Sequence, residues 1–167
     1  MPTKADIISS INKELRIIAH LASKLQPQHL SFRFTPGQRS TQELLEYLAI
    51  TSESAISGLL TGSRSVWEQS SKEVVGLSLA QFATTIAAQQ QAVERLLASL
   101  SEADFAAKRV KNGQGVELPL PEALFEGITK QLVGYKTQLF LQAKVAGVVG
   151  LSSANLWRGE DAAIKAH

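Results

Sequence analysis

From Ile8 to Leu25 the residues Ile8, Ile11, Leu15, Ile18, Ala22 and Leu25 recur at intervals of 3-4-3-4-3. That spacing lays one apolar stripe along an α-helix packed against other helices. It is incompatible with a strand, whose side chains alternate with a period of two. Thr3 and Asp6 stand where a capping pair would start this helix, and Pro27 follows its end.

The pattern returns three times. "STQE" places Ser40 as N-cap with Glu43 three residues on, and opens a helix predicted to run to about Leu60 on Leu44, Leu45, Leu48, Ala55, Ile56 and Leu59. Gly62 is its predicted stop. Residues 63–76 read as a loop with a helical turn. Ser78 and Gln81 form a further capping pair, ahead of a third stripe of Leu79, Phe82, Ile86, Val93, Leu96 and Leu100. In that stripe Gln89 sits where an apolar residue is expected. Residues 101–120 form the longest break, with Asn112-Gly113 as a turn signal for a hairpin or an open loop. Pro121 suits the first turn of the fourth helix. Its buried face is predicted from Leu124, Ile128, Gln131, Tyr135, Gln138 and Gln142, with Phe125, Leu132, Leu139 and Ala143 alongside. "SSANLW" (152–157) predicts a tail turn that folds Trp157 over an end of the assembly. The expected fold is all-α, a four-helix bundle with long inter-helix loops, in a single domain spanning residues 1–167.

Composition narrows the function. Seventeen Lys and Arg face fifteen Asp and Glu, so the net charge of +2 supplies no phosphate-binding track. Basic residues are scattered and few aromatics lie among them, which speaks against nucleic-acid binding. There is no cysteine, which removes disulfides, thiolate zinc sites, iron–sulfur clusters and a Cys nucleophile. The N-terminus has no sustained apolar run and "VAGVVGL" (145–151) is too short to span a bilayer. A cytoplasmic protein with no membrane partner is expected. "GLLTGSRS" (58–65) reads as a helix end and turn, since its lysine and spacing do not match a phosphate loop.

The sharpest question lies in "QLVGYKTQLF" (131–140), where Gln131, Tyr135 and Gln138 share a helix face that should meet the core. Buried amides require partners, at a cost of about 1–3 kcal/mol when left unmade. Three readings stay open: the polar groups plug the interior and fix helix register, they line a small polar ligand pocket, or they form a surface stripe.

At helices two and four the residues resemble the DinB-like superfamily, four-helix bundles of the damage-inducible and thiol-transferase type. The family pattern "RSxxELLxHL" corresponds to "RSTQELLEYL", Arg39 to Leu48. The pattern "HxxxHRxQ" corresponds to "QLVGYKTQ", Gln131 to Gln138, and "LLASLSEADF" (96–105) is similar to the turn after helix three. The similarity covers about residues 30 to 158. In metal-binding members three histidines hold a divalent cation, and the matching positions here are Tyr47, Gln131 and Tyr135. Gln138 keeps the family residue, and Lys136 keeps the charge of the usual arginine. An amide oxygen is a weak ligand, and a phenol must lose a proton of ordinary pKa about 10 to bind well.

No divalent metal or other cofactor is therefore expected. The candidate ligand pocket is formed by Tyr47, Gln131, Tyr135 and Gln138 at the former metal positions, with Gln89 beside them. The three histidines offer no substitute: His20 lies off the first stripe and is expected to face solvent, His29 is in a loop, and His167 is terminal. The resemblance implies a homodimer. Gly134, Gly147, Gly150, Ala143 and Ala146 give the fourth helix a small side for close packing. The expected function is a non-enzymatic binding or stress-associated module. The competing reading is a metal-dependent thiol transferase or hydrolase.

Overall fold

A computed structural model describes residues 2–162. Helix α1 spans Lys4–Ala22. The Thr3 hydroxyl accepts from the Asp6 N–H, and the Asp6 carboxylate accepts from the Thr3 N–H, as the spacing predicted. Ile11, Leu15, Ile18, Ala22 and Leu25 of the expected stripe are buried, and the buried face is wider than that stripe. Ile7, Ile11, Glu14, Ile18 and Leu21 are buried, while Ile8 is half-buried. Burying each of Ile11, Leu15, Ile18 and Leu21, which are fully enclosed, contributes about 1.5–3 kcal/mol.

A short 3₁₀ turn, Pro27–His29, leads toward α2, Thr41–Leu48, and α3, Thr51–Thr61. The capping box of Ser40 and Glu43 starts α2, and Gly62 ends α3 in the left-handed conformation at φ 72°. The run to Leu60 is thus helical but broken at Ala49–Ile50, and the break has an identifiable cause. In an uninterrupted helix the Ser52 N–H would donate to the Leu48 carbonyl. Instead Ser52 N–H donates to Gln89 Oε1 at 2.9 Å, and Gln89 Nε2 donates to the Leu48 carbonyl at 2.7 Å. One buried side-chain amide is wedged into the ladder and carries both orphaned groups.

Residues 65–73 form a true helix, α4, Ser65–Glu73, where only a turn was expected. Helix α5 is Leu79–Ala98, begun by the capping box of Ser78 and Gln81 and burying Phe82, Ile86, Gln89, Ala92, Val93 and Leu97. A short α6, Glu102–Ala107, precedes a two-stranded antiparallel hairpin of β1, Arg109–Lys111, and β2, Glu117–Pro119. The Asn112 side chain closes its turn by accepting the Gln114 and Val116 N–H groups.

Helix α7, Leu120–Leu124, passes through a π turn at Phe125–Thr129 into α8, Lys130–Val145. The Lys130 N–H donates to the Phe125 carbonyl, five residues back. The extra residue rotates what precedes it. Phe125, predicted beside Leu132 on a sheltered face, is 44 % exposed. The buried stripe of this helix is Leu124, Ile128, Leu132, Lys136, Leu139 and Ala143. Helix α9, Ser153–Arg158, closes the described chain. Gly147 and Gly150 lie beyond α8 with φ of 104° and 78°, so they are not part of a small helical face.

Among the described residues the architecture is all-α, with the hairpin as a minor addition. Helix α1 is central and packs against α5, α8 and α9, while α2 lies on α8 and α3 on α4 and α5. One apolar cluster runs through these helices. No helix among the described residues is long and apolar enough to cross a membrane.

Candidate functional site: a tyrosine–glutamine–arginine cluster

The bend at Ala49–Ile50 sits just past Tyr47, which occupies the last turn of α2. Gln131 and Tyr135 project from the first turns of α8, the helix against which α2 packs. Gln131 Nε2 donates to the Tyr47 hydroxyl at 2.6 Å. The two tyrosine rings meet edge to face with centroids 4.9 Å apart, a favoured aromatic geometry. Gln138 is half-buried, and no hydrogen bond ties it to this cluster among the described residues. Three of the four sequence-derived residues therefore converge, and the fourth stands aside.

Arg39, outside the sequence-derived set, joins the three. Immediately before the N-cap of α2, it places its guanidinium carbon 4.3 Å from the Tyr47 ring centroid and 5.6 Å from that of Tyr135. Its Nη1 donates to the Tyr135 hydroxyl at 3.2 Å. The Arg39 carbonyl is pinned in turn by the fully buried Gln142, whose Nε2 donates to it at 2.9 Å. Trp67 of α4 closes another side, with its ring 5.5 Å from that of Tyr47. Arg39 opens the quoted helix-two motif, but its role is invisible there, because only the tertiary fold brings it over rings from two helices.

The electrostatics keep the phenol neutral. Burial pushes the Tyr47 hydroxyl above its ordinary pKa, and Tyr135 reinforces this against the lowering pull first of Thr51 and then of Arg39. Glu43, at the start of the same helix, is held below the usual carboxylate range chiefly by the Ser40 N–H.

This donor set does not fit the divalent cation that the histidine pattern implies. The Tyr47 oxygen already accepts an amide N–H, its ionisation is pushed up, and a guanidinium charge already rests against both rings. His20 and His29 are engaged elsewhere. His20 Nε2 lies 3.0 Å from Asn155 Nδ2, and His29 Nδ1 accepts the Gln26 N–H at 3.0 Å. His20 is thus sheltered rather than solvent-facing, because α9 folds over it. His167 lies outside the described residues. Among the described residues no group of three or more His, Asp or Glu side chains is placed to hold a metal ion.

Lys136, read in the sequence only as a retained positive charge, is fully enclosed. Its Nζ lies 2.6 Å from Oε2 of Glu14 on α1, and the Trp157 ring covers it at 4.9 Å. Trp157 remains 55 % exposed overall, so it lies across the pair with much of its surface in solvent. The signal was present in the spacing: Glu14 interrupts Ile7-Ile11-Ile18-Leu21 and Lys136 interrupts Leu132-Leu139-Ala143, each at a core position.

The chain matches no protein-family model, and no curated protein matches its sequence.

Proposed function

We propose that this protein is a DinB-like four-helix bundle in which a hydrogen-bonded tyrosine–glutamine–arginine cluster replaces the family's three-histidine metal site, and that it serves as a metal-free binding or stress-associated module. The four bundle elements would be α1, the bent α2–α3 pair, α5 and the α7–α8 helix. The observation that carries the reading is the meeting of Tyr47 with Gln131 and Tyr135. Tyr47 and Gln131 are 84 residues apart in sequence, yet their side chains bond directly. These are the three positions matched to ligand histidines, and the resemblance requires them to lie together. The exposed guanidinium of Arg39, held over two phenol rings, is the group that a small polar ligand would meet.

Elemental analysis of untagged protein purified without chelator tests the reading. Zinc, nickel and manganese are expected well below stoichiometry. One equivalent of any of them would overturn it and favour a metal-dependent thiol transferase or hydrolase. A thermal-shift screen against thiols and small acids, repeated on Arg39→Ala, then looks for the ligand. The expected homodimer would close on the end of α8, where Leu141, Val145 and Val149 keep apolar side chains in solvent.

A further inference from the structure

Trp67 also lines a cleft of about 490 Å³ formed by α3, the start of α4, the hairpin turn and the π turn. That volume falls in the range of small-molecule sites, about 300–1,000 Å³. Its apolar wall includes Leu59, Trp67 and Ile128, and two cations, Arg64 and Lys111, stand on its lining. No acidic residue lines it. Neither cation has an ion-pair partner among the described residues. One further observation points toward a ligand. Ser54 lines the cleft at 5 % exposure, and its buried hydroxyl has no hydrogen-bond partner.

We infer that this cleft binds a small carboxylic acid with an aromatic body. The ring would lie against Trp67, Leu59 and Ile128. The carboxylate would pair with Arg64 and Lys111, and the Ser54 hydroxyl would supply a neutral hydrogen bond. An uncharged aromatic would leave both cations without a counterion, and inorganic phosphate would leave the apolar wall unfilled. This does not depend on the tyrosine cluster binding anything.

Calorimetric titration of the full chain with 4-phenylbutyrate, 2-naphthoate and the matching neutral amides tests it. At least one acid is expected to saturate at one per chain, with its amide weaker by about tenfold or more, the scale of one charge-assisted contact. Arg64→Ala with Lys111→Ala should weaken the acid by a similar factor and leave the amide unchanged. Ser54→Ala should weaken the acid without lowering the thermal midpoint of the free protein. Four results would overturn the assignment: no saturable binding of either acid at millimolar concentration, an amide that binds as tightly as its acid, equal competition by phosphate alone, or loss of binding in Arg39→Ala but not in the Arg64/Lys111 double variant. The last would move the carboxylate to the tyrosine cluster.

Discussion

Replacing Gln89 by methionine keeps an unbranched side chain of similar length and removes both polar atoms from the wedge between α2 and α3. The Leu48 carbonyl and the Ser52 N–H, which face the Gln89 amide at 2.7 and 2.9 Å, then lose their partners. Gln89 is only 2 % exposed, so water does not replace it. Each unpaired buried backbone group costs about 1–3 kcal/mol, and methionine returns part of this through its own burial. A net loss of about 3 kcal/mol is expected. For a chain of 167 residues that corresponds to a fall in thermal midpoint of about 9 °C. Chemical denaturation followed by circular dichroism measures the free energy, and hydrogen exchange at the Ser52 amide reports the local opening. A Gln89→Met protein within about 1 kcal/mol of the parent, with Ser52 still protected, would mean that the helix closes its own ladder. The amide would then not be what holds the bend.

The remaining predictions concern the ion pair, one histidine and the α8 surface. Lys136→Met strands the buried Glu14 carboxylate and should cost about 3–5 kcal/mol, whereas Glu14→Leu with Lys136→Met should lie within about 1 kcal/mol of the parent or above it; denaturant titration of the parent, both single variants and the double variant gives the coupling. Burial, followed by the charge of Lys24, holds His20 below its ordinary pKa. The unfolded chain therefore binds the proton more readily. Stability from this residue is fully present above about pH 6.5 and declines as pH falls below it. Thermal midpoints taken from about pH 7.5 to 5.5, above the carboxylate range, should fall in the parent and flatten in His20→Gln; an unchanged slope would rule His20 out. Light scattering at micromolar concentration should give a dimer that Leu141→Asp with Val145→Asp converts to a monomer, and a monomeric parent would remove that proposal.

The helices were legible because their apolar stripes and caps are local. Thr3 with Asp6, Ser40 with Glu43 and Ser78 with Gln81 each formed the pairing that their spacing announced. The departures arise where a distant residue or an extra residue intervenes. Nothing between Leu48 and Ser52 reveals a break, because its cause is a side chain 37 and 41 residues away. Helix α4 lacks any fully buried residue, so it leaves only a weak stripe to read. At the site, Tyr47, Gln131 and Tyr135 were legible through their spacing and motif. Arg39 was not, because a cation poised over rings from two helices leaves no periodic trace. Gln138 shared the predicted face, yet its turn of α8 lies past the reach of Tyr47.

The π turn has a bearing on how this chain is compared with others. A helix that accommodates one surplus residue between Phe125 and Thr129 has two frames, one ending at Leu124 and one beginning at Lys130. A relative without the surplus residue would align across it only with a one-position gap. Gln131 and Tyr135 must be matched from Lys130 onward, independently of Leu120 and Leu124. Deleting Glu126 or Gly127 would let the two frames run on as one regular α-helix, with Leu120 and Leu124 still on the buried stripe. Closing the turn as α-helix with every residue kept would instead rotate what precedes it by about 100°, driving Leu120 and Leu124 out of the interior and carrying Phe125 toward it.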